Sequence, residues 1–252
     1  MISFMKKTMK TIKFSILITL GLMLSFSISK AQKYQPGYAI LNDGTRISGL
    51  ISYYEEDPWL NQRFIFIRDS VELINNSNPK TKKYKADDLK FYKVGDRSFN
   101  KVHYVDAENL QLKSLGTNNH MMERLAQGKI NANRFYSYYK DIELLPSTNE
   151  AEINEWRKQN KNELLVGYKI LIAKNNETRV KNAFDVDLQK YFEDTPVVLQ
   201  KYQSGGYGNE PIVAKKGLAA KMIALAKKTA FKPQEADAIV AAFNDYNEKQ
   251  SH

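Results

Sequence analysis

The chain contains no cysteine. That excludes disulfides, thiolate nucleophiles, thiolate zinc sites, iron–sulfur clusters and cysteine-linked lipid anchors. Histidine is nearly as scarce: His103, His120 and His252 are the three, and none stands at a metal-ligand or catalytic spacing from another. Glycine (12) and proline (7) are few among 252 residues, of which 42% are hydrophobic and 26% charged. These are globular values, neither disordered nor collagenous. Long apolar runs are missing after the first, a chargeless stretch from Phe14 to Ile28.

That first run carries an address. Lys6, Lys7, Lys10 and Lys13 precede it, and Ser29-Lys30-Ala31 follows with small residues at −3 and −1 before Gln32. The order predicts a secretory signal peptide over 1–31, cleaved after Ala31. Its 15 residues fall short of the about 20 that a transmembrane helix needs. The expected mature protein is soluble or peripheral, without a transmembrane span, in the periplasm or at the outer membrane. The formal net charge is +10, and residues 1–31 hold five Lys and no acid; the remainder carries 33 basic and 28 acidic residues, a net +5. An excess of this size governs solubility and weak attraction to anionic surfaces, and with export it argues against nucleic acid as a partner.

Three parts are expected after the signal. Residues 32–106 read as a small antiparallel β domain. Tyr38 to Leu41 and Thr45 to Ile51 flank Asn42-Asp43-Gly44 as a hairpin, with Gly49 marking a bulge or bend. Arg63 to Ile67 and Val71 to Ile74 are strand candidates parted by Asp69-Ser70, and Asn75 to Lys83 is a polar loop. Leu89 to Val94 and Ser98 to Val105 flank Gly95-Asp96. Short strands at this spacing predict a curled, barrel-like sheet. Residues 107–183 form a second β-rich part with strands at Leu110 to Leu115, Met121 to Leu125 and Phe135 to Tyr139. One short helix starts near Ser147 and Glu150 and ends in Lys158 to Glu163. Leu164 to Ala173 is the longest apolar strand, turned at Asn175-Asn176. Residues 184–252 are helical, closing in an α-hairpin whose arms carry Leu218, Met222 and Leu225, then Ala236, Ile239, Val240 and Phe243, with Pro233 opening the second. The fold class is α+β.

The arrangement resembles a family of uncharacterised exported envelope proteins common in Bacteroidota. The resemblance rests on Ala31-Gln32, Gly37 to Gly44 with Gly49-Leu50-Ile51, Tyr84 to Phe91, Glu123 to Ile130, Lys190 to Pro196, and Tyr246-Asn247 in the closing helix. It implies location and fold, and no activity.

The chemistry in the sequence is sparse. Asp87-Asp88, Asp185-x-Asp187 and Glu193-Asp194 are paired carboxylates without the further ligands and turning glycine of a calcium loop, so turn and helix-start roles are expected. Ser204 to Gly208 lacks the strand, helix and Lys-Ser/Thr pair of a phosphate loop. No G-x-S-x-G elbow occurs. Neither a cofactor nor a metal is expected, and an enzyme is the weaker hypothesis. Two binding features remain. Arg134-Phe135-Tyr136-Ser137-Tyr138-Tyr139-Lys140 concentrates rings between two cations and is the candidate partner-binding run. Lys215, Lys216, Lys221, Lys227, Lys228 and Lys232 are the candidate anionic-surface contacts. The expected function is a non-enzymatic accessory or scaffold subunit of the envelope that binds a protein partner. A glycan- or anionic-lipid-binding module, and a hydrolase with carboxylates assembled only by folding, are the alternatives.

Overall fold

The computed structural model describes residues 33–75, 79–106, 118–138, 149–212 and 233–251. The signal expected over residues 1–31, the strand expected at Leu110 to Leu115, Ser147, the first arm of the expected hairpin and all six lysines from Lys215 to Lys232 lie outside them.

The described residues are α+β around one unclosed antiparallel sheet of ten strands in the order β10-β9-β8-β7-β6-β5-β1-β2-β3-β4. The strands are β1 Lys33–Leu41, β2 Arg46–Tyr53, β3 Phe64–Asp69, β4 Thr81–Lys85, β5 Leu89–Val94, β6 Arg97–His103, β7 Asn119–Ala126, β8 Ile130–Phe135, β9 Lys169–Lys174 and β10 Lys181–Asn182. The helices are α1 Pro58–Asn61, α2 Ser70–Asn75, α3 Glu150–Val166, α4 Gln189–Phe192, α5 Pro196–Gln203 and α6 Pro233–Lys249. A 3-10 turn, Ala86–Asp88, joins β4 to β5.

Local chemistry sets the hairpins. At Asn42-Asp43-Gly44 the Leu41 amide donates to the Thr45 carbonyl (2.9 Å) and the Thr45 amide to the Asp43 carboxylate (2.8 Å). At Gly49 the β2–β3 register shows no shift: the pairs run evenly from Ile51↔Ile67 to Gly49↔Asp69. A Cβ there would stand 2.0 Å from the Arg68 carbonyl oxygen, so glycine permits a close strand approach. The register shift falls instead at Ile40/Leu41.

Three expected elements change. Val71 to Ile74 belongs to a helix, since Asp69 accepts from the Val71 amide (2.8 Å) and starts a turn rather than parting two strands. The polar stretch before Lys83 contains the start of β4. Leu164 to Val166 continues α3, closed by the Gly167 amide on the Glu163 carbonyl (2.8 Å), so the apolar strand begins at Lys169.

The two β-rich parts share the sheet, because β6 pairs with β7 from Phe99↔Glu123 to His103↔Asn119. Their cores differ. Ala39, Ile51, Ile65, Ile67, Leu89, Tyr92 and Phe99 pack together in the N-terminal half. On the same sheet face farther along, Ile130, Ala132, Ile170 and Ile172 meet Phe192, Tyr202, Ile239, Phe243 and Tyr246 of the helices. Behind that face, Trp59, Met122, Phe135, Tyr138 and Leu171 form a third cluster, with Leu164 and Leu165 of α3 against it.

Candidate functional site

The sheet register splits the run that begins at Arg134. Phe135 and Tyr138 are buried in the third cluster, and so are core residues that present no ring for contact. Tyr139 and Lys140 lie outside the described residues. Arg134 and Tyr136 remain half-buried. The strand stops at Phe135 because Gln62 takes over its pairing: its side-chain amide donates to the Tyr136 carbonyl (2.8 Å), and its side-chain oxygen accepts from the Tyr136 amide (2.7 Å).

Arg134 is held by residues distant in sequence. Glu123 stands opposite it across β7 and β8, and each Glu123 oxygen takes one guanidinium, Arg134 at 3.0 Å and Arg97 at 3.1 Å. Rings flank both cations. Arg134 lies over Tyr168 at 4.6 Å and Arg97 over Tyr53 at 5.2 Å, while the Tyr136 and Tyr168 rings approach to 5.7 Å. Burial pushes all three phenols up, Tyr53 to about 12. Burial works most strongly against the Arg134 charge, but Glu123, Tyr136 and Tyr168 together outweigh it and hold the guanidinium above its ordinary value. The cluster sits where the N-terminal and C-terminal cores adjoin: Phe99 and Tyr53 belong to one, Ala132 and Ile170 to the other. Its chemistry is that of a contact surface, with planar donors, the half-buried rings of Tyr136 and Tyr168, Tyr53 buried in the core beneath, and Arg97 the most open member (44% exposed side chain).

A second polar group lies behind it. His120 Nε2 is 3.1 Å from the Tyr104 carbonyl and Nδ1 is 2.7 Å from the Tyr138 hydroxyl. A carbonyl only accepts, so Nε2 carries the proton and Nδ1 accepts from Tyr138. Burial, aided by Arg63 over the Tyr138 ring, pushes His120 down to about 4. His103 is exposed, 3.2 Å from the Asn119 side-chain oxygen. The nearby Asp106 carboxylate, 1% exposed, pairs with Lys169 at 3.0 Å.

The paired carboxylates stay apart. Asp88 accepts from the Lys85 amide, Asp187 from the Gln189 amide, and Asp194 from Lys174 and the Tyr246 hydroxyl. Among the described residues no group of three or more His, Asp and Glu could hold a metal ion. No family model, curated protein or solved structure matches the chain. Among the described residues no helix is long and apolar enough to cross a membrane.

Sequence reasoning reached Arg134 and Tyr136 through local ring density. It missed Glu123, Arg97, Tyr53, Tyr168 and Gln62, which no local motif joins; only the pairing register brings them together.

Proposed function

We propose that the protein is an exported, non-enzymatic component of a cell envelope, of the uncharacterised Bacteroidota kind it resembles, and that it holds a protein partner in the periplasm or at the outer membrane. The observation that carries this reading is the Arg134–Glu123–Arg97 bridge lined by Tyr53, Tyr136 and Tyr168. Tyr and Arg are the side chains that concentrate binding energy at protein interfaces, and here strands fix them before any partner arrives. The motifs behind the resemblance support a shared fold, since they meet one another: Asn42 with Asp88, Ile130 with Asn247, Asp194 with Tyr246.

Two finer features belong to the same reading. The strands β1 to β5 curl into a barrel-like unit. In a flat sheet, β4 and β5 would be about 19 Å apart across three intervening strands, beyond the about 13 Å that four residues reach. The closing helix α6 is the second arm of a hairpin.

The test is photo-crosslinking in intact cells from Ser137, beside the cluster, with exposed Val197 as the control position. One stoichiometric envelope protein is expected at Ser137 and absent at Val197. The pair Y136A/Y168A weakens that recovery by about 30-fold or more, as loss of an interface hot spot does, while a cooperative melting transition shows that the variant still folds. Equal recovery with and without the two rings overturns the site.

A further inference from the structure

We propose that the outward face of β1 to β5, extended to Arg124 of β7, binds an acidic polysaccharide. The face is separate from the Arg134 cluster, and the proposal stands or falls without it.

Alternation along the strands defines this face. Ala39, Ile51, Ile65, Ile67 and Tyr92 point into the N-terminal core. Their neighbours point away, and cross-strand partners place Leu50 beside Arg68, Phe66 beside Lys83, and Tyr38 beside Lys93 on the other side. The outward positions carry Arg46, Arg68, Lys83, Lys85, Lys93 and, on β7, Arg124, and no Asp or Glu occurs among the outward positions of β1 to β5. Among the described residues, the acidic side chains therefore stand off the outward positions of five adjacent strands.

Four of these cations are also held in place. Arg46 lies over Tyr38 at 3.8 Å, Arg68 over Tyr34 at 4.1 Å, Lys83 over Phe64 at 4.1 Å and Arg124 over Phe91 at 5.3 Å. None of the four has a carboxylate partner among the described residues, in contrast to Arg97 and Arg134. A guanidinium stacked on a ring has lost much of its rotamer freedom beforehand, and its N–H edge suits bidentate pairing with a carboxylate. The partners that Arg68 and Arg124 now have there are neutral, Thr81 (3.3 Å) for Arg68 and Asn100 (2.7 Å) with Gln127 for Arg124, and an incoming carboxylate replaces them.

The occupant follows from what is left open. The cations roof their rings, so the face offers neither bare rings for base stacking nor an apolar protrusion for a bilayer. It offers cations on the adjacent strands β2, β3 and β4, spaced by about 4.8 Å, with Lys93 of β5 and Arg124 of β7 farther along, together with the hydroxyls of exposed Ser48 and Thr81 and half-buried Ser98. A linear chain that repeats carboxylates among many hydroxyls matches that array.

Affinity electrophoresis and calorimetry of the purified protein test this, with a soluble polyuronate, neutral dextran, vesicles containing phosphatidylglycerol, and single-stranded DNA as probes. The polyuronate binds, progressively less as salt rises, and dextran does not. R46E/K83E loses about tenfold or more in affinity, Y38A weakens binding at unchanged charge, and the equally charge-reversed pair K158E/K190E changes it less than about twofold. Lys158 and Lys190 are exposed and belong to helices α3 and α4 rather than to these strands. Melting curves verify folding, and R46Q/K83Q replaces the reversed pair should that one not fold. No binding by the wild type, equal losses in both charge-reversed pairs, or tighter binding to vesicles or DNA than to the polyuronate each overturns the proposal.

Discussion

His120 is a buried titratable side chain whose tautomer is set by its neighbours, and its pH dependence has a definite sign. Its folded value, about 4, lies below the ordinary 6.5, so the unfolded chain takes up a proton that the fold excludes. The stability it contributes is complete above pH 6.5 and is lost as pH falls toward 4. The shift corresponds to on the order of 3 kcal/mol as an upper bound. Urea denaturation between pH 7 and 4 should show this fall, and H120Q, which cannot titrate, should flatten it by one proton; an unchanged slope would mean that carboxylates dominate. Glu123 supports a second prediction. E123Q leaves Arg97 and Arg134 facing a neutral amide at the seam of two cores, at a cost of roughly 1–2 kcal/mol after allowing for the exposure of Arg97. A denaturation midpoint equal to the wild type would show that the bridge adds nothing net. At this scale the sequence reading reached only what is local, the ring-and-cation run that contains Arg134 and Tyr136. It did not reach Glu123 and Tyr168, because they meet Arg134 only through the β7–β8 and β8–β9 pairings, and neither pairing leaves a trace in spacing.

Among the elements, α6 shows how one side chain can dock a helix. Asn247 donates to the Ile130 carbonyl (2.7 Å) and accepts from the Ile130 amide (2.9 Å), completing the pairing of a buried strand end as another strand would. N247A leaves both groups unpaired and should cost roughly 2–4 kcal/mol, whereas exposed Asn244 one turn earlier should tolerate alanine within about 0.5 kcal/mol. Comparable losses at both positions would refute the docking role. Gly128 serves the same junction, since a Cβ there would come within 2.6 Å of the Asn247 carboxamide carbon. Turns were readable because Asn42-Asp43-Gly44, Gly95-Asp96 and Asn175-Asn176 state their geometry within a few residues; Asn175 and Asn176 both adopt positive φ (54° and 60°). Val71 to Ile74 misled because a short β-branched run fits strand and helix alike, and the deciding contact is the Asp69 cap. That helix leaves Val71 and Ile74 exposed at 63% and 84%. Charged replacements there should be nearly neutral for stability.

Across the whole molecule, β7 is the strand on which all three cores converge. Met121 enters the N-terminal core, Met122 the cluster behind it and Ala126 the C-terminal core, and none of the three is more than 4% exposed. Glu123, between them, ties β6 to β8 through its two arginines. The chain pattern divides near residue 106 into a β-only part and a mixed part, which is why it reads as separate domains. The division disappears once β6 pairs with β7, because damage on one side must be transmitted along a strand that also serves the other. M121A makes this testable. Removing a fully buried methionine side chain should cost about 2–5 kcal/mol, nominally in the N-terminal core alone. If the halves are coupled through β7, the C-terminal core loses the same amount: calorimetry shows one transition moved to lower temperature, and tyrosine signals from both halves shift together. Two resolved transitions, with the later one unmoved, would mean that the sheet joins two independently stable units and that β7 is only their border.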